Sequence, residues 1–89
     1  MQIYRFKNLE IRHEGHDYLA NGQAFYLVED FDDGKEATFE KVELFDILGK
    51  DGFITREGSP ECMSYFEEIV QAHLNQDSTL CRSLGHKII

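Results

Sequence analysis

The sequence predicts an α+β fold: a small antiparallel β-sheet of three to four strands in meander order, with a C-terminal helix at about residues 60–75 packed on one face. Three observations support this prediction. Residues 9–13 alternate in polarity, residues 24–28 form an apolar and aromatic run, and residues 59–74 combine a helix-start signal with apolar residues at helical spacing. Because the strand-like segments precede the helix, we expect the helix to cover one face of the sheet.

The size of the chain predicts one compact domain, residues 1–89. A chain of 89 residues leaves no room for a second independent core, and 42% hydrophobic and 12% aromatic content is enough to build one. The longest apolar runs are about five residues, far short of the ~20 that span a bilayer. The first residues lack the basic-then-apolar pattern of a signal peptide. We therefore expect a cytoplasmic protein without membrane contact.

The first strand is expected within residues 2–13, because residues 9–13 show the period of two of a half-buried strand. Turn-forming residues follow at positions 14–17. The dipeptide Asn21-Gly22 is a strong hairpin signal, since both residues tolerate positive φ angles. It predicts a hairpin turn between residues 18–20 and the apolar run that begins at Ala24.

The segment Ala24 to Val28 predicts a central strand buried on both faces, because its apolar residues are β-branched or aromatic and uninterrupted. A second turn is predicted at residues 32–35, Asp-Asp-Gly-Lys. Residues 36–48 fit two geometries: a strand that returns beside the previous one, or a helix with its carboxylates on the outer side. We favour a strand to about Lys41 and then a helical turn through Leu48.

The final third predicts a turn, a short strand and helices. Asp51-Gly52 leads into a short strand at residues 53–55. Ser59-Pro60-Glu61 predicts a helix start with a hydroxyl cap, a proline in the first turn and an acid at the positive end of the dipole. The apolar side of that helix is expected to hold Met63, Phe66, Ile69, Val70, His73 and Leu74. Asp77-Ser78 is expected to cap a last short turn that ends at Gly85.

Charge is concentrated in one segment. Residues 29–46 hold eight of the seventeen acidic side chains and two of the nine basic ones, so this segment carries −6 of the total net charge of −8. The flanks are weakly basic, since residues 1–13 and residues 78–89 each sum to +2. A local anionic surface attracts a basic partner and repels nucleic acid and anionic membranes. We therefore expect a basic protein partner and no direct binding of nucleic acid.

Two groups of residues are candidates for site chemistry. Residues 13–17, His-Glu-Gly-His-Asp, contain metal-capable side chains, and His13, His16 and Asp17 define an alternative metal-binding hypothesis. That segment lacks the spacing of a helical His-pair site and is more simply a polar turn. Cys62 and Cys81 are expected to be small buried residues. No nucleotide-binding or nucleophile motif is present, so we expect neither enzymatic activity nor a cofactor.

The favoured hypothesis is a small acidic inhibitor that blocks the basic nucleic-acid-binding surface of a partner, such as a nucleic-acid-handling enzyme or complex. If part of the segment is a strand, alternate carboxylates stand about 6.6 Å apart, comparable to successive phosphates on one nucleic-acid strand. The expected contact residues are seven acids and two aromatic anchors. The acids are Glu29, Asp30, Asp32, Asp33, Glu36, Glu40 and Glu43, and the anchors are Tyr26 and Phe31.

In size and charge the chain is similar to anti-CRISPR and anti-restriction proteins and to nuclease immunity proteins, which are short, acidic and single-domain. The similarity implies an inhibitor encoded by a phage or mobile element, and it assigns no residues. The alternatives to an inhibitor are the metal-binding domain described above and an accessory subunit with no chemistry of its own.

Overall fold

The structure is a computed structural model, and it describes residues 1–32 and 34–86. Its elements are β1 (Gln2–His13), β2 (His16–Phe31), β3 (Gly34–Gly49), β4 (Gly52–Thr55), α1 (Pro60–Gln76) and α2 (Ser78–His86). The strands form one antiparallel sheet in the order β1-β2-β3-β4, a meander that curves as a half-barrel, and both helices pack against it. The predicted fold class and the C-terminal helix are confirmed, and a second helix follows the first.

The core lies between one face of the sheet and the two helices. Within the described residues, every buried side chain is apolar or aromatic, apart from the Cys81 thiol, and no charged group is buried. The largest fully buried side chains are Phe39, Ile47, Met63, Val70 and Leu74. Burying a side chain of this size stabilises the fold by about 1.5–3 kcal/mol.

Asn21-Gly22 does not form the predicted hairpin turn, and the first hairpin turn is at Glu14-Gly15, within residues 13–17, which the sequence also predicts as a polar turn. Those two residues have φ angles of 50° and 80°, which a two-residue turn of type I′ requires. Asn21 and Gly22 lie inside β2, beside a register shift in its pairing with β3. A Cβ atom on Gly22 would collide with the carbonyl oxygen of Glu43. This glycine therefore permits a close approach of two strands at a β-bulge, a role that also selects glycine.

The predicted helical turn before Leu48 is wrong, because β3 continues as a strand to Gly49. Its pairing with β2 skips Glu40 and Phe45, each of which is an extra residue in a β-bulge. The buried residues of β3 are Ala37, Phe39, Val42, Leu44 and Ile47. The spacing between successive buried residues alternates between two and three positions. The mean spacing therefore lies between the strand period of 2 and the helix period of 3.6, so the sequence fits both geometries.

The interior strand predicted at residues 24–28 is confirmed as part of β2, but it is not buried on both faces. Ala24 and Tyr26 point into the core, whereas Phe25 is half-buried and Leu27 is 41% exposed. The helices cover one face of the sheet only. The other side, called the open face below, faces away from the core.

Side chains of α1 close the outer edge of β3, where the short β4 ends. The Phe39 N–H donates to Asn75 Oδ1 at 2.8 Å, and the Phe39 carbonyl accepts from Asn75 Nδ2 and Gln71 Nε2, each at 3.0 Å. The Leu44 N–H donates to Glu67 Oε2 at 2.9 Å. These amide and carboxylate groups take the place of a neighbouring strand, so this part of the edge is not free to pair.

The helix ends agree with the sequence in part. Pro60 opens α1 as predicted, but the hydroxyl of Ser59 makes no capping hydrogen bond; its carbonyl accepts the Met63 N–H at 3.1 Å instead. Asp77 caps α2 as predicted, because its Oδ1 accepts the Leu80 N–H at 3.1 Å. Neither helix of the described ranges is long and apolar enough to cross a membrane.

Two residues of the helices differ from their predicted roles. Gly85 was predicted to end the last helix, but α2 continues through it to His86. It is buried where α2 meets the backbone of Lys35, so it serves close packing rather than termination. His73, predicted on the apolar side of α1, is exposed.

Candidate partner-binding surface

The acidic residues nearest the second turn meet at one end of the β2–β3 hairpin. Antiparallel pairing places Glu29 opposite Glu36 and Asp30 opposite Lys35, and Asp32 lies in the turn itself. Of these carboxylates, Glu36 is half-buried and the other three are exposed. Asp33, the fifth expected contact here, lies outside the described residues. We call the described group Glu29, Asp30, Asp32 and Glu36 the acidic hairpin end.

The pair Glu29 and Glu36 is electrostatically unfavourable in the isolated chain. Residues directly opposite in an antiparallel ladder have Cβ atoms about 4.5–5.5 Å apart, and like charges at that separation are destabilising. Arg82 on α2 offsets part of this repulsion, since its Nε lies 3.6 Å from Glu36 Oε1. A cation supplied by another molecule between the two carboxylates would relieve more of it.

The remaining expected carboxylates, Glu40 and Glu43, lie farther along β3. At about 3.3 Å per residue, Glu40 is about 13 Å and Glu43 about 23 Å from Glu36 along the strand. Glu40 is exposed at its bulge. Glu43 accepts a hydrogen bond from Gln23 Nε2 at 2.8 Å and lies 3.8 Å from Lys41 Nζ. The expected contacts on β3 are therefore spread along the strand, and Glu43 already has partners within the chain.

The two expected aromatic anchors have different environments. Tyr26 is 6% exposed, and its ring centroid lies 5.6 Å from that of Phe39, so it belongs to the core. Phe31 is 47% exposed and stands opposite Gly34 at the acidic hairpin end. Phe31 is therefore the anchor that a partner can reach.

The side chains of the metal hypothesis make other contacts. Asp17 Oδ1 lies 3.0 Å from the guanidinium of Arg12, and His13 Nε2 lies 2.9 Å from the Tyr65 hydroxyl. His16 pairs with His13 across the first turn and lies beside a shallow cleft. Within residues 1–32 and 34–86, no three His, Cys, Asp or Glu side chains lie close enough together to hold a metal ion.

The two cysteines are unlike each other. Cys81 is buried as predicted, and its thiol donates to the Leu74 carbonyl at 3.4 Å. Desolvation, followed by the nearby charges of Asp77 and Glu36, raises the pKa of Cys81, so its reactive thiolate form is disfavoured at neutral pH. Cys62, expected to be buried, is exposed instead.

Sequence reasoning missed the open face. Several large apolar side chains are exposed or half-exposed on or beside it: Ile3, Phe25, Leu27, Phe45 and Phe53. The sequence does show apolar residues on both faces of the strands, but an apolar run of this kind also predicts a strand that is buried on both faces. Comparisons of the chain with protein families, with curated proteins and with solved structures found no match.

Proposed function

We propose that this protein is a small acidic binding module that inhibits a partner by occupying its basic, nucleic-acid-binding surface. The observation that carries the proposal is the acidic hairpin end, where four carboxylates and the exposed ring of Phe31 lie on the paired ends of two strands and the turn between them. Their positive neighbours there are Lys35 and Arg82, so carboxylates outnumber cations among the described residues.

The arrangement supports a contact with arginine and lysine side chains. Glu29 and Glu36 face each other across the strand pair, and Asp30 and Asp32 are two positions apart along the chain, which gives separations of about 5–7 Å, on the scale of phosphate spacing in a nucleic acid. An exposed aromatic ring beside them offers the apolar anchor that interface centres commonly contain. Electrostatic attraction of this kind accelerates association and makes it sensitive to salt.

The test compares two variants with the same net charge. In Asp30→Lys/Asp32→Lys the charge of two of the four residues of the acidic hairpin end is reversed. In Glu57→Lys/Glu68→Lys two exposed carboxylates elsewhere are reversed. Wild-type protein and both variants are used to capture proteins from a lysate at low and high salt, and their affinity for an arginine-rich peptide is measured directly.

We expect the hairpin variant to lose at least about tenfold in affinity for the peptide and to lose the captured protein, while the matched variant keeps both. The captured protein should bind nucleic acid, and the wild-type chain should displace that nucleic acid. Equal losses in the two variants would mean that net charge alone governs binding, and the proposal would be wrong. Capture that is unchanged by salt would also contradict it.

A further inference from the structure

The open face carries a row of three polar side chains on three neighbouring strands, and the row changes from positive on β1 through neutral on β2 to negative on β3. Arg5 on β1 pairs with Gln23 on β2, and Gln23 pairs with Glu43 on β3. The sequence neighbours of these three residues are buried in the core, apart from Tyr4, which is partly buried against it, so all three project from the open face. The hydrogen bond from Gln23 Nε2 to Glu43 Oε1 agrees with this placement.

Arg5 and Glu43 do not meet within one chain. Two strand spacings of about 4.8 Å separate their backbones, with Gln23 between them. Within the described residues, Arg5 has no ion-pair partner. The row therefore ends in an unpaired cation on the β1 side and, on the β3 side, in the Glu43 carboxylate, which has Lys41 Nζ at 3.8 Å and remains partly exposed.

The next row on the open face is mainly apolar. It contains Ile3, Phe25 and Lys41, with the Lys41 Nζ atom 6.0 Å from the centre of the Phe25 ring. Leu27 follows on the same side of β2. The apolar row and the polar row are adjacent, so together they form a patch with an apolar part and a charged part.

We propose that the open face is the interface of a homodimer with two-fold symmetry, in which the two sheets pack face to face about an axis parallel to β2. Rotation about this axis exchanges the positions of β1 and β3 and preserves the position along the strand. Arg5 of each copy is then placed opposite Glu43 of the other copy. Residues of β2 lie on the axis, so Phe25 and Leu27 each meet their own copies. Stacked sheets about 10 Å apart allow such side chains to touch.

The order of charges identifies a second copy as the occupant. An anionic ligand such as a nucleic acid would pair with Arg5 but would be repelled by Glu43. A basic protein would pair with Glu43 but would be repelled by Arg5. A partner that matches both ends must present a carboxylate opposite Arg5 and a cation opposite Glu43, and this row presents that order to itself after a two-fold rotation.

The association is expected to be weak. The patch is at the small end of interface sizes, and an exposed ion pair changes an affinity by up to about fivefold. The axis also brings both acidic hairpin ends to the same end of the dimer, where they repel each other. We expect a dissociation constant of about 0.1 mM.

The test is a charge exchange measured by sedimentation equilibrium at protein concentrations from about 10 μM to 1 mM, a range that brackets the expected constant. Arg5→Glu and Glu43→Arg should each weaken dimerisation at least about fivefold, because each places like charges in contact. Arg5→Glu/Glu43→Arg restores opposite charges and should return the constant to within about twofold of wild type. Lys50→Glu, in the turn before β4, makes the same charge change as Arg5→Glu and should have no effect.

A cross-linking measurement tests the position of the axis. In a Cys62→Ser background, Gln23→Cys should be converted to a covalent dimer by a short bis-maleimide, whereas Lys50→Cys should not. A monomer at every concentration, or a charge exchange that fails to restore dimerisation in folded protein, would overturn the proposal. So would binding of a thymidine oligonucleotide that Arg5→Glu abolishes without any change in oligomeric state.

Discussion

Replacing Gly85 by alanine should destabilise the fold, although alanine is the better helix former. Gly85 lies within α2 and is buried against the backbone at the start of β3. A Cβ atom at this position would lie 2.6 Å from the carbonyl carbon of Lys35 and 2.9 Å from the Cα of Glu36, where ordinary contacts are 3.4–4 Å. Both neighbours are backbone atoms, so neither can move aside by a side-chain rotation.

The magnitude follows from two opposing terms. Glycine to alanine inside a helix stabilises by about 1 kcal/mol when nothing opposes it. Here α2 must move away from the sheet by about 1 Å, which adds an overpacking cost of about 1–3 kcal/mol and loosens the buried contacts of Cys81 and Leu84. The overpacking cost less the gain leaves up to about 2 kcal/mol, and the loosened contacts add to this loss, so we expect a net destabilisation of about 1–2 kcal/mol. For a chain of this size that lowers the Tm by about 4–16 °C.

The assay is urea and thermal unfolding followed by circular dichroism, with Ser83→Ala as the matched control. Ser83 is on the same helix but exposed, so alanine there should raise stability by about 0.5 kcal/mol. The two alanine substitutions should therefore shift the Tm in opposite directions. A Gly85→Ala protein as stable as wild type would refute the packing of α2 on β3 described above.

Three further predictions concern the core, the edge of the sheet and the thiols. Phe39→Ala should cost about 3–5 kcal/mol in urea unfolding, because the side chain is 1% exposed, whereas Phe31→Ala should cost less than about 0.5 kcal/mol; equal losses would contradict the core. Asn75→Ala should cost about 1–3 kcal/mol by leaving the Phe39 N–H without its acceptor, and Asn75→Asp should also be destabilising, because it keeps that acceptor but turns a carboxylate oxygen toward the Phe39 carbonyl; an Asn75→Ala protein as stable as wild type would contradict the edge contact. Cys62 should react rapidly with a thiol reagent and Cys81 only on unfolding. Burial raises the pKa of Cys81, so the thiol of the unfolded chain loses its proton at a lower pH than the thiol of the folded protein. The free energy of unfolding should therefore fall as pH rises above the ordinary thiol pKa of 9.0. In Cys81→Ala this contribution to the pH dependence of stability should be absent.

The sequence determined the parts of this fold that depend on neighbours along the chain. The helix from Pro60, the strand within residues 2–13 and the turn at residues 32–35 all follow from local turn chemistry and periodicity. The turn also fixes the pairing beside it, since a hairpin closed at that point places Glu29 opposite Glu36. The acidic hairpin end was therefore within reach of sequence reasoning.

The rest depended on long-range strand pairing, and Glu40 shows why. If β3 had no bulge and all its residues alternated strictly after Phe39, Val42 would lie on the open face and Glu43 would point toward the helices. The bulge at Glu40 reverses the alternation, so Val42 enters the core and Glu43 projects beside Gln23. No local signal marks such a bulge, because its position is set by the register between β2 and β3. The same residue thus completes the core on one face and, on the other, sets the row of charges from which we infer the homodimer.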